Sequence, residues 1–277
     1  MVAHLPPAVK HLLTLRNPNS FPGPPVAKLN DVLTRTFRDA QQKKAEKGWL
    51  TLATCTLLTA NAPPSVGHLY RFATRNDPSA ADTRRNYQEA LNKAAAMREA
   101  AMKSCIFVGV PRTILSFAGM FEAFEEDVKN GLRKEPNRVA TPENIEAIKA
   151  RGQALWDTIY PPHAVKLYNK LGGYHPDFIG TLRRCLSPMP GGDSEQGNLS
   201  RALGSVVGTA CLRAEEHVGP QLTSHVFGLL KARNVEGLSE EDYWLATDEG
   251  TEWVIRTVDE ILDVVKPEAS SALGAKL

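Results

Sequence analysis

The sequence predicts an all-α protein made of two copies of one helical unit, and three observations carry that expectation. Residues 53–72 and 209–229 repeat one pattern: an apolar stretch with a cysteine, a proline break, then a stretch bearing a histidine. In each copy the histidine follows its proline by five residues, Pro63 to His68 and Pro220 to His225. Such self-similarity marks an internal duplication, which constrains architecture before any motif is weighed. Elsewhere Met97, Ala100, Ala101, Ser104, Cys105 and Val108 recur at helical spacing, the mark of a helix with one face on a core. Strand-like alternation is almost missing.

The N-terminal arm, residues 1–29, has no acidic residue before Asp31 and carries Pro6, Pro7, Pro18, Pro22, Pro24 and Pro25. Prolines interrupt an amphipathic targeting helix, so a partly extended arm on the domain surface is expected rather than a cleaved presequence. Asn30 and Asp31 are positioned to cap a helix running to about Lys47, with Gly48 ending it. The apolar segment 49–60 is short enough to suit a buried strand. Its longer copy, rich in Ala, Leu and Gly, argues for helix in both. Pro63-Pro64 and Gly219-Pro220 then prepare helix starts, because proline loses nothing in a first turn.

A long helix is expected from about Arg84 to Gly109, and Gly109-Val110-Pro111 stops it and begins another through Phe124. Residues 133–141 are polar without apolar periodicity and form the expected linker. They divide a first lobe, 30–132, from a second, 142–266. Thr141 is positioned to cap a helix through Trp156, Pro161-Pro162 breaks it, and helix resumes from Ala164 before Gly172-Gly173. Residues 188–198 read as a loop. Ser239 with Asp242 offers a capping-box-like start for one last long helix. Trp49, Trp156, Trp244 and Trp253 are expected in the core rather than around a ligand.

Composition narrows the functional classes. The 277 residues are 42% apolar and 23% charged with a formal charge of +2, as expected of a globular chain with a sizeable core. Basic and acidic residues are interleaved, so no footprint for nucleic acid appears. No apolar run reaches the length of a transmembrane segment. Cys55, Cys105, Cys185 and Cys211 lack the spacing of a zinc site or redox pair; Cys55, Cys105 and Cys211 suit buried apolar positions. The seven histidines contain no His-x-x-x-His, and glycine-rich nucleotide loops are missing, so neither a metal nor a nucleotide cofactor is expected.

The tail, residues 267–277, ends in Ala275, Lys276 and Leu277, one small-for-small exchange away from the Ser-Lys-Leu peroxisomal address. A peroxisomal import receptor gripping the C-terminus is the expected partner. The cytosol is the alternative location, or the mitochondrion if the arm is a presequence.

The block from Met97 to Ile114, Met-Arg-Glu-Ala-Ala through Gly-Val-Pro-Arg-Thr-Ile, resembles the helix pair of the AhpD-like, carboxymuconolactone-decarboxylase-like superfamily. The segments at His68 and from Pro220 to His225 resemble its helix carrying the active-site histidine. The combination is most similar to duplicated fungal AhpD-like proteins, over roughly residues 49–265. The resemblance implies a helical fold, an apolar pocket between helices and self-association into a homo-oligomer.

It does not carry over the peroxidase chemistry. At the positions of the family's Cys-x-x-Cys pair stand Asn61 and Pro64 in the first copy, Val218 and Gln221 in the second. The family's proton-relay glutamate falls near Trp49 and Val206. Only His68 and His225 match. Glu215, Glu216 and His217 precede the second break, and a carboxylate beside an imidazole would supply general acid–base chemistry; a solvated turn is the simpler reading of that run. For both histidines, a core imidazole bonded to a backbone carbonyl is the simpler alternative.

Two readings follow. In one, the chain is a cofactor-free lyase, decarboxylase or isomerase acting on a small molecule through His225, with Glu216 or Cys211 and with His68 as its counterpart. In the other, the scaffold is a non-catalytic binding or assembly module.

Overall fold

The computed structural model describes residues 4–15, 23–186 and 196–266. The tail with Ala275, Lys276 and Leu277, most of the 188–198 loop and the Cys185 side chain lie outside the described residues. Among those residues the fold is all-α, with fourteen α-helices and no strand; Arg75 and Arg84 form one isolated bridge.

In the arm, α1 (Pro7–Leu15) is helical where an extended segment is expected, yet it buries none of its residues. The next helix, α2 (Val26–Gln42), begins directly after Pro25 rather than at Asn30. Its buried residues Leu29, Val32, Leu33, Thr36 and Ala40 form the stripe that fixes its register. Gly48 does not end that helix but lies inside α3 (Glu46–Thr59). A Cβ there would stand 2.8 Å from Leu245, so this glycine serves close helix approach rather than termination.

Three helices complete the first half's core. They are α4 (Pro63–Thr74), α5 (Tyr87–Val108) and α6 (Val110–Ala123), followed by a short α7 (Glu126–Gly131). Asn86 caps α5, its side chain accepting from the Glu89 amide at 3.1 Å. The polar segment that follows carries no helix up to α8 (Ile145–Ile159), which starts at Asn144, not Thr141. Asn144 accepts from the Thr141 amide instead. Then come α9 (Ala164–Tyr174) and α10 (Phe178–Leu186), the latter without an expectation from sequence.

The second histidine-bearing segment supplies α11 (Arg201–Glu215) and α12 (Gly219–Lys231). The expected single last helix is two: α13 (Glu240–Leu245), capped by Ser239, and α14 (Asp248–Val265), capped by Thr247. A second capping threonine explains the break, because its hydroxyl takes the Gly250 amide at 3.0 Å.

At the centre α3 packs against α11, and the long helices α5 and α14 each pack against both. On the flanks, α4 lies on α3 and α12 on α11. One continuous apolar cluster joins these elements, from Leu29 through Trp49 and Met97 to Val258. Trp49, Trp156 and Trp253 are buried, as their apolar surroundings predict. The breaks between the paired helices share one feature and differ in another, since Glu216 is also left-handed at φ +63° whereas Ala60 is right-handed at φ −65°. Asn61 and His217, each six residues after its cysteine, both adopt left-handed backbone conformations, φ +56° and +55°. No described helix is long and apolar enough to cross a membrane.

Candidate functional site in the second half

Superposing Cys55 on Cys211 in sequence pairs Leu52 with Gly208 and Trp49 with Ser205. The Leu52–Gly208 exchange bears on how His225 is housed, because Gly208 lies against its ring. In the first half, Trp49 is buried with Phe37 and Phe72 around it, ring centroids 4.8 and 6.0 Å away. Its indole N–H donates to Thr36 Oγ1 at 2.9 Å, so the aromatic plug is fully satisfied. His68 meets the Asn30 side chain, Nε2 to Oδ1 at 2.6 Å. Burial, aided by Arg71, lowers its pKa.

In the second half the space is polar. Gly208 leaves room for the His225 ring: a Cβ there would stand 2.5 Å from Nδ1. Phe107 of α5 meets that ring edge-on, with centroids 5.1 Å apart. Arg201, on α11, spans the site: Nε donates to Thr158 Oγ1 at 3.2 Å, Nη2 to the Gly228 carbonyl at 3.1 Å, and Nη1 to Ser205 Oγ. No carboxylate of the described residues pairs with it. The wall is α8, whose end is tied to α12 by Lys231 donating to the Ile159 and Pro161 carbonyls, at 3.1 and 2.7 Å. That wall brings Tyr160, whose ring lies tilted against Trp156 with centroids 4.2 Å apart.

Desolvation sets the electrostatics. Loss of water pushes Arg201 down to about 10, and it remains a cation near neutrality. Burial, with Arg201 nearby, pushes His225 down to about 4, so its imidazole is neutral at physiological pH. Burial raises the Tyr160 phenol, which keeps its proton. One turn beyond Ser205 the buried Thr209 hydroxyl has no partner. A half-buried cation without a counter-ion beside a neutral imidazole is an arrangement that an incoming anion completes.

The residues singled out from sequence are not gathered into one constellation. His225 belongs to the Arg201 site, and His68 lies in the other half against Asn30. Glu216 is exposed, left-handed at φ +63°, with Lys266 3.9 Å away. Its neighbour Glu215 is not a solvated turn residue; it pairs with Arg112, which also donates to the Thr59 carbonyl at 3.1 Å. Cys211 is buried in the core, where its thiol and Ser104 Oγ are 3.2 Å apart and Cys55 lies 3.4 Å from the same oxygen. Burial pushes the Cys55 thiol well up, the state of an unreactive core cysteine.

Arg201, Ser205, Gly208 and Tyr160 were not legible as site residues from their own types. Gly208 opposite Leu52 and Ser205 opposite Trp49, small for large at matched positions of the two segments, are the signal for those two, while Arg201 and Tyr160 have none. In comparisons with family models, curated proteins and solved structures, nothing matches this chain.

Proposed function

We propose that the chain is an AhpD-like protein without the dithiol peroxidase pair, which binds a small anionic molecule in its second half and acts on it by acid–base chemistry at His225. The observation that carries this reading is the Arg201 guanidinium, hydrogen-bonded to Thr158, Ser205 and Gly228 but paired with no described carboxylate. A carboxylate held there would be oriented by a charge-assisted contact, and the neutral His225 imidazole would accept a proton from the bound molecule. Duplication of one helical unit is part of the same reading, supported by the matching left-handed breaks at Asn61 and His217. So is a peroxisomal location through Ala275-Lys276-Leu277, which rests on those residues alone.

Calorimetry of the intact protein with a panel of short oxo and dicarboxylic acids tests the reading. Saturable binding that weakens at least tenfold in Arg201→Gln is the expected result. Binding by none of the panel, or equal binding by the folded Arg201→Gln and wild-type proteins, overturns it.

The assembly reading has its own support in the outer face of α6. Val110, Ile114 and Phe121 are exposed there at helical spacing, with Val110 and Ile114 each 59% exposed. Sedimentation of the intact chain at micromolar concentration decides this reading: a dimer or larger species supports it, and a monomer removes it.

A further inference from the structure

A second cleft of about 430 Å³ lies between α5 and the segment that follows α7, within the size range of small-molecule sites. Its frame is pinned by Gln196, which accepts from the Arg133 amide at 2.7 Å and donates to the Gly131 carbonyl at 3.0 Å. Four cationic side chains line it against two carboxylates, those of Glu99 and Glu135. Glu99 is buried, paired with Arg138, and has the Lys103 ammonium 3.8 Å away, so its charge is already neutralised within the wall.

Two of the cations are not so engaged. Arg98 Nη2 donates to the Arg133 carbonyl at 3.0 Å, and Lys134 Nζ donates to the Lys129 carbonyl at 2.5 Å; neither makes a close ion pair with a described carboxylate, although Glu99 is near enough to favour the Arg98 charge. The opposite character is present in the same cleft. Met102 is 46% exposed and Val139 58% exposed, with Phe117 beside them. Charge and uncovered apolar surface therefore converge in one concavity.

We infer that this cleft is a binding site for an amphipathic anion, a carboxylate or phosphate head held between Arg98 and Lys134 with an apolar tail along Met102, Phe117 and Val139. Guanidinium and ammonium groups recognise either head, and the apolar wall supplies the preference for a tail. None of these residues belongs to the Arg201 site, so the inference stands or falls independently of the function proposed above.

The test is calorimetry of the full chain with decanoate, decyl phosphate, decanol and inorganic phosphate at fixed ionic strength. At least one of the two tailed anions is expected to saturate at one site per chain, at least tenfold tighter than decanol and inorganic phosphate. Which of them does so identifies the head. Arg98→Gln is expected to weaken that binding at least tenfold, and Lys134→Gln, on an exposed segment that tolerates substitution, about threefold. Amide resonance changes should fall at residues 98–102 and 133–139. No saturable binding of either anion, equal binding of decanol or inorganic phosphate, or indifference to Lys134→Gln overturns the inference.

Discussion

The two histidine-bearing halves each set a cysteine-bearing helix before a histidine-bearing one and share a left-handed residue at the break, yet a buried indole stands in one where a serine stands in the other. In the first half Trp49, at the position matching Ser205, is buried against Phe37 and Phe72, and the His68 imidazole meets the Asn30 side chain. Around His225 the same helix face carries Ser205 and Gly208, and the opening admits Arg201 and the Tyr160 ring. The difference teaches that the small residues Ser205 and Gly208 accompany a polar surrounding for His225 where Trp49 and Leu52 stand at the matching positions of the first half.

The largest way to break this comparison is to empty the plug. Trp49→Ala removes a fully buried indole, and cavity formation predicts a loss of about 3–5 kcal/mol in chemical denaturation. Ser205→Ala, at the matching position, should cost under about 1 kcal/mol, since a half-satisfied hydroxyl contributes little net stability. Equal costs at the two positions would contradict the contrast.

Acid should separate the halves next. The folded-state pKa of His225, about 4, lies below its unfolded value near 6.5, so the unfolded chain binds the proton first. The stability contributed by the neutral ring is complete above that unfolded value and is lost as pH falls from about 6.5 to about 4. The loss should be on the order of 2–3 kcal/mol, and His225→Gln should remove it from the pH profile of the denaturation midpoint. His68, lowered by burial to a lesser extent, contributes in the same direction, so a residual slope in His225→Gln is expected.

Two smaller changes sharpen the picture. Gly208→Ala places a Cβ against Nδ1 of His225, and the ring must swing away at a cost of about 1–2 kcal/mol, with a displaced His225 resonance. Asn30→Ala removes the side-chain partner that His68 has among the described residues and should cost about 1 kcal/mol while leaving His225 unmoved.

Much of the fold is written locally. The proline breaks before α4 and α12 and the Ser239 cap are short-range features that appear at their expected places, and the stripe on α5 is buried from Met97 to Ser104 while Cys105 and Val108 are only partly covered. Boundaries set by tertiary contacts are another matter. Gly48 looks like a helix end until Leu245 is seen to occupy the space beside it. The single last helix is broken by Thr247, a cap whose competing presence the apolar pattern does not register. The site follows the same logic. His225 was visible through its spacing from Pro220, matched at Pro63 and His68, whereas Tyr160 enters through packing of α8 on α12, which no linear spacing encodes, and Arg201 lies on α11 with no sequence signal of its own. Cys211 and Glu216 are near His225 in sequence, but the fold commits one to the core and the other to solvent.

The most direct test of the account is a nuclear magnetic resonance titration of the two imidazoles between pH 4 and pH 8, with and without a short dicarboxylate. The account predicts that His225 stays neutral until the pH approaches 4 and that its ring resonances alone move when the anion is added. A His225 that protonates near 6.5, or an anion response seen at His68 and not at His225, would contradict it.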